Sequence, residues 1–135
     1  METNRFIDHI DLRVRDCTAS TPFYDVFMGA LGLHRITPDG LESWAGYAYE
    51  DAEPMPFPFF GLLPAPDHRP DASRIAFAAG SREEVDRVAR AVSAAGAKAV
   101  EGPELCTEYH TSYYAVFFDD PDGNHFEVVC HTGEA

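Results

Sequence analysis

The feature that most constrains this chain is an order of hydrophobic periodicities that runs through it twice. The opening run Phe6-Ile7-Asp8-His9-Ile10-Asp11-Leu12-Arg13-Val14 alternates from residue 9 onward. That alternation places Ile10, Leu12 and Val14 on one face of a strand and His9, Asp11 and Arg13 on the other. Thr21-Pro22 then supplies an N-cap followed by a proline at the first helical position, and Phe23, Val26, Phe27, Ala30 and Leu31 recur at helical spacing until Gly32. Strand candidates follow at Leu33–Thr37, at Glu42–Tyr49 after the Pro38-Asp39-Gly40 turn, and at Phe57–Leu63. The order is βαβββ.

The proline-rich stretch from Pro64 to Pro70 lacks periodicity and reads as a connector, after which the pattern restarts. Ser73 to Ala79 alternates, with Ile75 and Phe77 on one face and Arg74, Ala76 and Ala78 on the other. Ser81 with Glu84 forms a capping box, Val85, Val88, Ala89 and Val92 make one apolar stripe, and Gly96 stands at the helix stop. Further strands are expected at Lys98–Glu101, Ser112–Asp119 and Asn124–Cys130, the last two joined by the turn Asp120-Pro121-Asp122-Gly123. The chain thus reads as an α+β domain of two βαβββ modules, about 5–64 and about 72–132, whose mixed sheets curl into a cup or open barrel with the helices outside. His9 and Arg74 occupy matching places, each near the middle of the strand that opens its module and opposite the large apolar residues.

At 135 residues, 45% of them apolar, one packed domain is expected, and no segment approaches the ~18 uninterrupted apolar residues of a membrane span. A formal charge of −13 repels a phosphate backbone, so nucleic acid is not an expected partner. The polar and acidic N-terminus does not resemble a signal peptide, which makes the cytoplasm the expected location. Cys17, Cys106 and Cys130 form no CxxC pair, and free thiols acting as small buried hydrophobes are the default.

Taken together, these elements resemble the vicinal-oxygen-chelate superfamily, which includes glyoxalase I, fosfomycin- and bleomycin-resistance proteins and extradiol dioxygenases. The resemblance spans nearly the whole chain. Its most specific parts are Ile7 to Val14, the stretch from Phe23-Tyr24 through Leu31-Gly32-Leu33, and the closing run from Tyr113 through the DPDG turn to Glu127-Val128. It implies a small-molecule enzyme of lyase or dioxygenase type, a homodimer, and a divalent metal such as zinc, nickel, iron or manganese. The implied ligands are a histidine of the first strand, a histidine of the strand opening the second half, and a glutamate of the last strand.

His9 and Glu127 match the first and last of these ligands, and strand parity turns Glu127 to the face shared with His125 and Val129, so both candidate ligands are expected to point into one cup. Arg74 stands in place of the middle histidine; a guanidinium has no lone pair to donate and brings a positive charge to the cation's position. A third ligand is then expected from His110, Glu108 or Asp11. The alternative is a metal-free ligand-binding or sequestering protein, in which Arg74 pairs with Glu127 or anchors an anionic ligand. Glu127 and His110 are the candidate acid–base groups, and Arg74, Tyr109, Trp44 and Phe59 the candidate substrate contacts. Tyr47, Tyr49, Phe57 and Phe60 are further aromatics that line a pocket or fill the core.

Overall fold

The first helix begins five residues earlier than the proline signal implies. In the computed structural model, which describes residues 6–37, 43–49 and 58–133, Asp16 is the N-cap of α1 (Cys17–Ala30) and its side chain accepts from the Ala19 N–H at 3.0 Å. Pro22 therefore lies inside the helix, where it cannot donate to the Thr18 carbonyl. The Thr21 hydroxyl donates to that carbonyl instead, at 3.1 Å. Thr21-Pro22 thus mends a helix interior, because a better cap carboxylate stands upstream.

The remaining elements keep the expected order: β1 (His9–Val14) before α1, then β2 (His34–Arg35), β3 (Ala45–Ala48), β4 (Phe59–Pro64), β5 (Arg74–Ala78), α2 (Arg82–Ala94), β6 (Lys98–Leu105), β7 (Tyr114–Asp119) and β8 (His125–Cys130). They form two four-stranded mixed sheets, β1-β4-β3-β2 and β5-β8-β7-β6, with no closed barrel. The opening strand of each module pairs in parallel with its closing strand. The Ser81 cap forms as expected, accepting from the Glu84 N–H, while the Glu84 carboxylate reaches back to the Gly80 N–H. β6 runs on past its expected end at Glu101, through Pro103 to Leu105; it is an edge strand of its sheet, where a proline is tolerated, and its pairing with β7 shifts register between Lys98 and Glu104. Gly102 there has φ +90, and a Cβ on it would meet the Ala115 carbonyl oxygen at 2.8 Å. The Pro38-Asp39-Gly40 turn and Phe57 lie outside the described residues.

The modules meet through their helix-covered sides. Buried residues of α1, α2 and the apolar faces of both sheets belong to one core. Phe27 of α1 packs edge-on against Phe77, Phe118 and Phe126 of the second module, with ring centroids 5.4, 5.0 and 5.2 Å away. Phe60 of β4 likewise meets Phe77 at 5.4 Å. The opposite faces of the two sheets, carrying His9, Asp11 and Arg13 on β1 and Arg74, Ala76 and Ala78 on β5, are turned outward and exposed.

A polar clasp closes the junction. Asp120, which the sequence presents as a turn residue, is 1% exposed, and its carboxylate accepts four hydrogen bonds among the described residues. The donors are the Tyr24 hydroxyl at 2.5 Å, the backbone N–H groups of Asp122 and Asn124, and the Asn124 side-chain amide. The same amide donates to the Arg13 carbonyl of β1, and His68 of the connector meets Asn124 Oδ1 at 2.9 Å. Burial, then the neighbouring Asp120 carboxylate, hold the Tyr24 phenol well above its usual pKa, so it remains a donor. Tyr24→Phe leaves that carboxylate one donor short and should cost about 1.5–3 kcal/mol, since hydrogen bonds to charged groups fall in that range. Urea denaturation with an unchanged m-value is the check.

Candidate functional site on the outer sheet faces

Alternation along each strand decides which side chains leave the core, and the sequence candidates leave it in two separate groups. On the first sheet, His9 Nδ1 lies 2.8 Å from Asp8 Oδ1 and its Nε2 lies 3.9 Å from Asp11 Oδ2. Its ring stacks on Phe59, the register partner of His9 on β4, with centroids 4.8 Å apart and planes 13° from parallel. Trp44 meets the same Phe59 ring edge-on at 5.9 Å. His9, Phe59 and Trp44, three of the expected site residues, are therefore neighbours. Phe60 and Tyr47 belong instead to the core, and Tyr49 is exposed.

On the second sheet, Glu127 is 6% exposed, and a carboxylate so covered requires a donor. The Tyr113 hydroxyl donates to Glu127 Oε2. Burial, followed by this hydrogen bond and the carboxylate charge, raises the Tyr113 phenol pKa and keeps the proton in place. Tyr113 in turn packs against Tyr109 at 4.9 Å and against His131 at 5.1 Å. A small apolar cluster of Cys106, Ala115 and Val129, flanked by Tyr113 and Phe117, covers this part of the face. His110 accepts from the Ser112 N–H through Nδ1 and makes a ring contact with His131 at 6.0 Å; no hydrogen bond joins it to Glu127.

Arg74 does not pair with Glu127, which corrects one of the sequence alternatives. Its guanidinium lies over the Phe117 ring, 5.2 Å from the centroid, and makes no hydrogen bond among the described residues. The physical reason is that Tyr113 already satisfies the carboxylate, while the aromatic face offers the cation a support that leaves its donors open. Tyr113 was not singled out from the sequence. The signal was present, because counting back from the turn at period two puts Tyr113, Ala115 and Phe117 on the face of Glu127.

His9 and Glu127, expected to point into one cup, stand instead on the outer faces of different sheets, because the modules join through their helix-covered sides, and no hydrogen bond, ion pair or ring contact joins the two side chains. Among the described residues, no group of three or more His, Cys, Asp or Glu side chains is gathered that could hold a metal ion. The donor chemistry agrees: an arginine occupies the place of the middle ligand, and a phenolic hydroxyl occupies one oxygen of the glutamate. The residues of a single chain do not fit the divalent metal centre that the superfamily implies. Clefts of about 440 and 450 Å³ lie beside Arg15, one against the connector and one against the start of α1, and neither takes in His9, Arg74 or Glu127. Cys17, Cys106 and Cys130 are free and buried. No described helix is long and apolar enough to cross a membrane.

The fold and these outward polar faces define a paired βαβββ protein of the vicinal-oxygen-chelate type. The sequence profile of the Glyoxalase/Bleomycin resistance protein/Dioxygenase superfamily matches residues 6–128, and the chain belongs to that superfamily. Among solved structures it is similar to a glyoxalase/bleomycin resistance protein from Albidiferax ferrireducens T118, with a TM-score of 0.72, 25% identity, and coverage of 95% of this chain and 100% of that one. It shares its fold with the fosfomycin resistance protein FosX from Listeria monocytogenes, with a TM-score of 0.68, 19% identity, and coverage of 96% of each chain. It shares it also with a glyoxalase/bleomycin resistance protein/dioxygenase family enzyme from Burkholderia phytofirmans PsJN, with a TM-score of 0.66, 19% identity, and coverage of 93% of this chain and 98% of that one. No curated protein matches the chain significantly.

Because Arg74 is exposed and Tyr113 holds a covered charge, their replacement should separate. Arg74→Ala should leave unfolding free energy within about 0.5 kcal/mol of the native chain, whereas Tyr113→Phe should lower it by about 1.5–3 kcal/mol. Paired thermal and urea unfolding curves measure both.

Proposed function

We propose that this chain is a metal-independent member of its superfamily that binds a small, oxygen-rich anion on the outer face of the second sheet, with Arg74 as the anchor. One observation carries the reading: the Arg74 guanidinium is supported by Phe117 and makes no hydrogen bond among the described residues. A supported arginine with free N–H groups is suited to a carboxylate or phosphonate, which it grips through paired hydrogen bonds. Tyr109, packed on Tyr113 and exposed, extends the same face as a further ligand contact. Sequestering a ligand in the manner suggested by the bleomycin-resistance relatives needs no more than this. With three free cysteines, a reducing cytoplasm is the proposed setting.

A second reading is favoured by His9, which stands outward between two aspartates. In a homodimer whose copies lay the first sheet of one against the second sheet of the other, His9 and Glu127 of a second copy face each other. Such an enzyme, of lyase or dioxygenase type, adds a divalent metal held by those two residues, with His110 as the acid–base group.

Metal content separates the readings. After equilibration with zinc, nickel, iron(II) or manganese and gel filtration, the native chain is expected to retain far less than one equivalent by elemental analysis. Stoichiometric metal on the native chain overturns the first reading and supports the second.

A further inference from the structure

Arg74 leaves β5, reaches across β8 and lays its guanidinium over Phe117 of β7, which is the register partner of Glu127. A cation and a carboxylate thus share one strip of the outer face without forming an ion pair. Glu127 Oε2 is occupied by Tyr113, and Oε1 makes no hydrogen bond among the described residues. A carboxylate has about four lone-pair positions, so acceptor capacity remains. Beside it, the register partner on β5 is Ala76, exposed and too short to fill the space.

These neighbours impose a condition on any anion that Arg74 holds. A simple carboxylate placed there brings a second negative charge toward Glu127 and repels it. A donor on the carbon next to the ligand's carboxylate converts that repulsion into a charge-assisted hydrogen bond.

We propose that the strip recognises a small 2-hydroxy carboxylate, its carboxylate on Arg74 and its adjacent hydroxyl donating to Glu127. This rests on the anion-binding reading and adds a ligand class to it. Glu127 is then the specificity-determining residue and Arg74 the source of affinity. The two vicinal oxygens of the ligand are read by a guanidinium and a carboxylate, with no metal between them.

Lactate and propionate differ by that hydroxyl and serve as the probes, titrated by calorimetry into the native chain, Glu127→Gln and Arg74→Gln. Lactate should bind the native chain about tenfold more tightly than propionate, as one additional charge-assisted hydrogen bond implies. Glu127→Gln keeps an acceptor for Tyr113 and should erase most of the difference, with propionate binding more tightly than before because the repelling charge is gone. Arg74→Gln should weaken both acids. Near-UV circular dichroism reports whether each variant keeps its native packing. Equal affinity of the two acids for the native chain, still dependent on Arg74, overturns this inference and leaves the anion-binding reading in place. A lactate preference that persists in Glu127→Gln likewise overturns it, and the absence of saturable binding of either acid to the native chain overturns both.

Discussion

The rest of the structure depends on one ring, Phe27, and on the faces that converge around it. A side chain from the first module is surrounded by Phe77, Phe118 and Phe126 of the second, so the two modules bury their apolar sides against each other. Fully burying such a ring is worth about 1.5–3 kcal/mol, and the arrangement repeats with Phe60 against Phe77 and Tyr24 against Phe126. The consequence for function is directional. With both helix-covered sides committed to one core, the polar faces of both sheets point away from it, where small molecules and other copies of the chain can reach them. The Asp120 clasp orients this junction more sharply than apolar packing can, because a buried carboxylate tolerates only a geometry that supplies its donors.

On the outer face of the second sheet the same rule governs Glu127. A nearly covered carboxylate needs a counterion, a metal or hydrogen-bond donors, and Tyr113 supplies a donor at no cost in net charge. That leaves Arg74 free of the glutamate and supported on an aromatic ring. A scaffold elsewhere associated with glyoxalase, dioxygenase and resistance proteins here carries a guanidinium and a tyrosine-capped carboxylate. Function follows those side chains, since the same scaffold serves unrelated chemistries.

Much of this was legible along the chain. The alternation of β1 and β5, the stripe of α2, its Ser81 cap and the turn before β8 were all readable, because each is a local pattern with a local cause. The start of helix α1 is not legible locally, because Thr21-Pro22 is a strong start signal, while the cap at Asp16 goes with the burial of Cys17 in the core. The extension of β6 past Pro103 was not legible for a related reason: proline argues against a strand unless an edge position excuses it, and the edge is a property of the sheet.

What the sequence by itself determined is which side chains leave the core, His9, Arg74 and Glu127 among them, since strand parity is set by neighbours two residues apart. What only the tertiary structure decided is whom those side chains meet. Tyr113 reaches Glu127 and Arg74 reaches Phe117 because β7 and β8 are laid in one register, while His9 and Glu127 stand on different sheets because the modules join through their helices. Direction is encoded locally, whereas partnership depends on long-range packing, in which a hydroxyl and a guanidinium compete for the same carboxylate and geometry settles which one arrives.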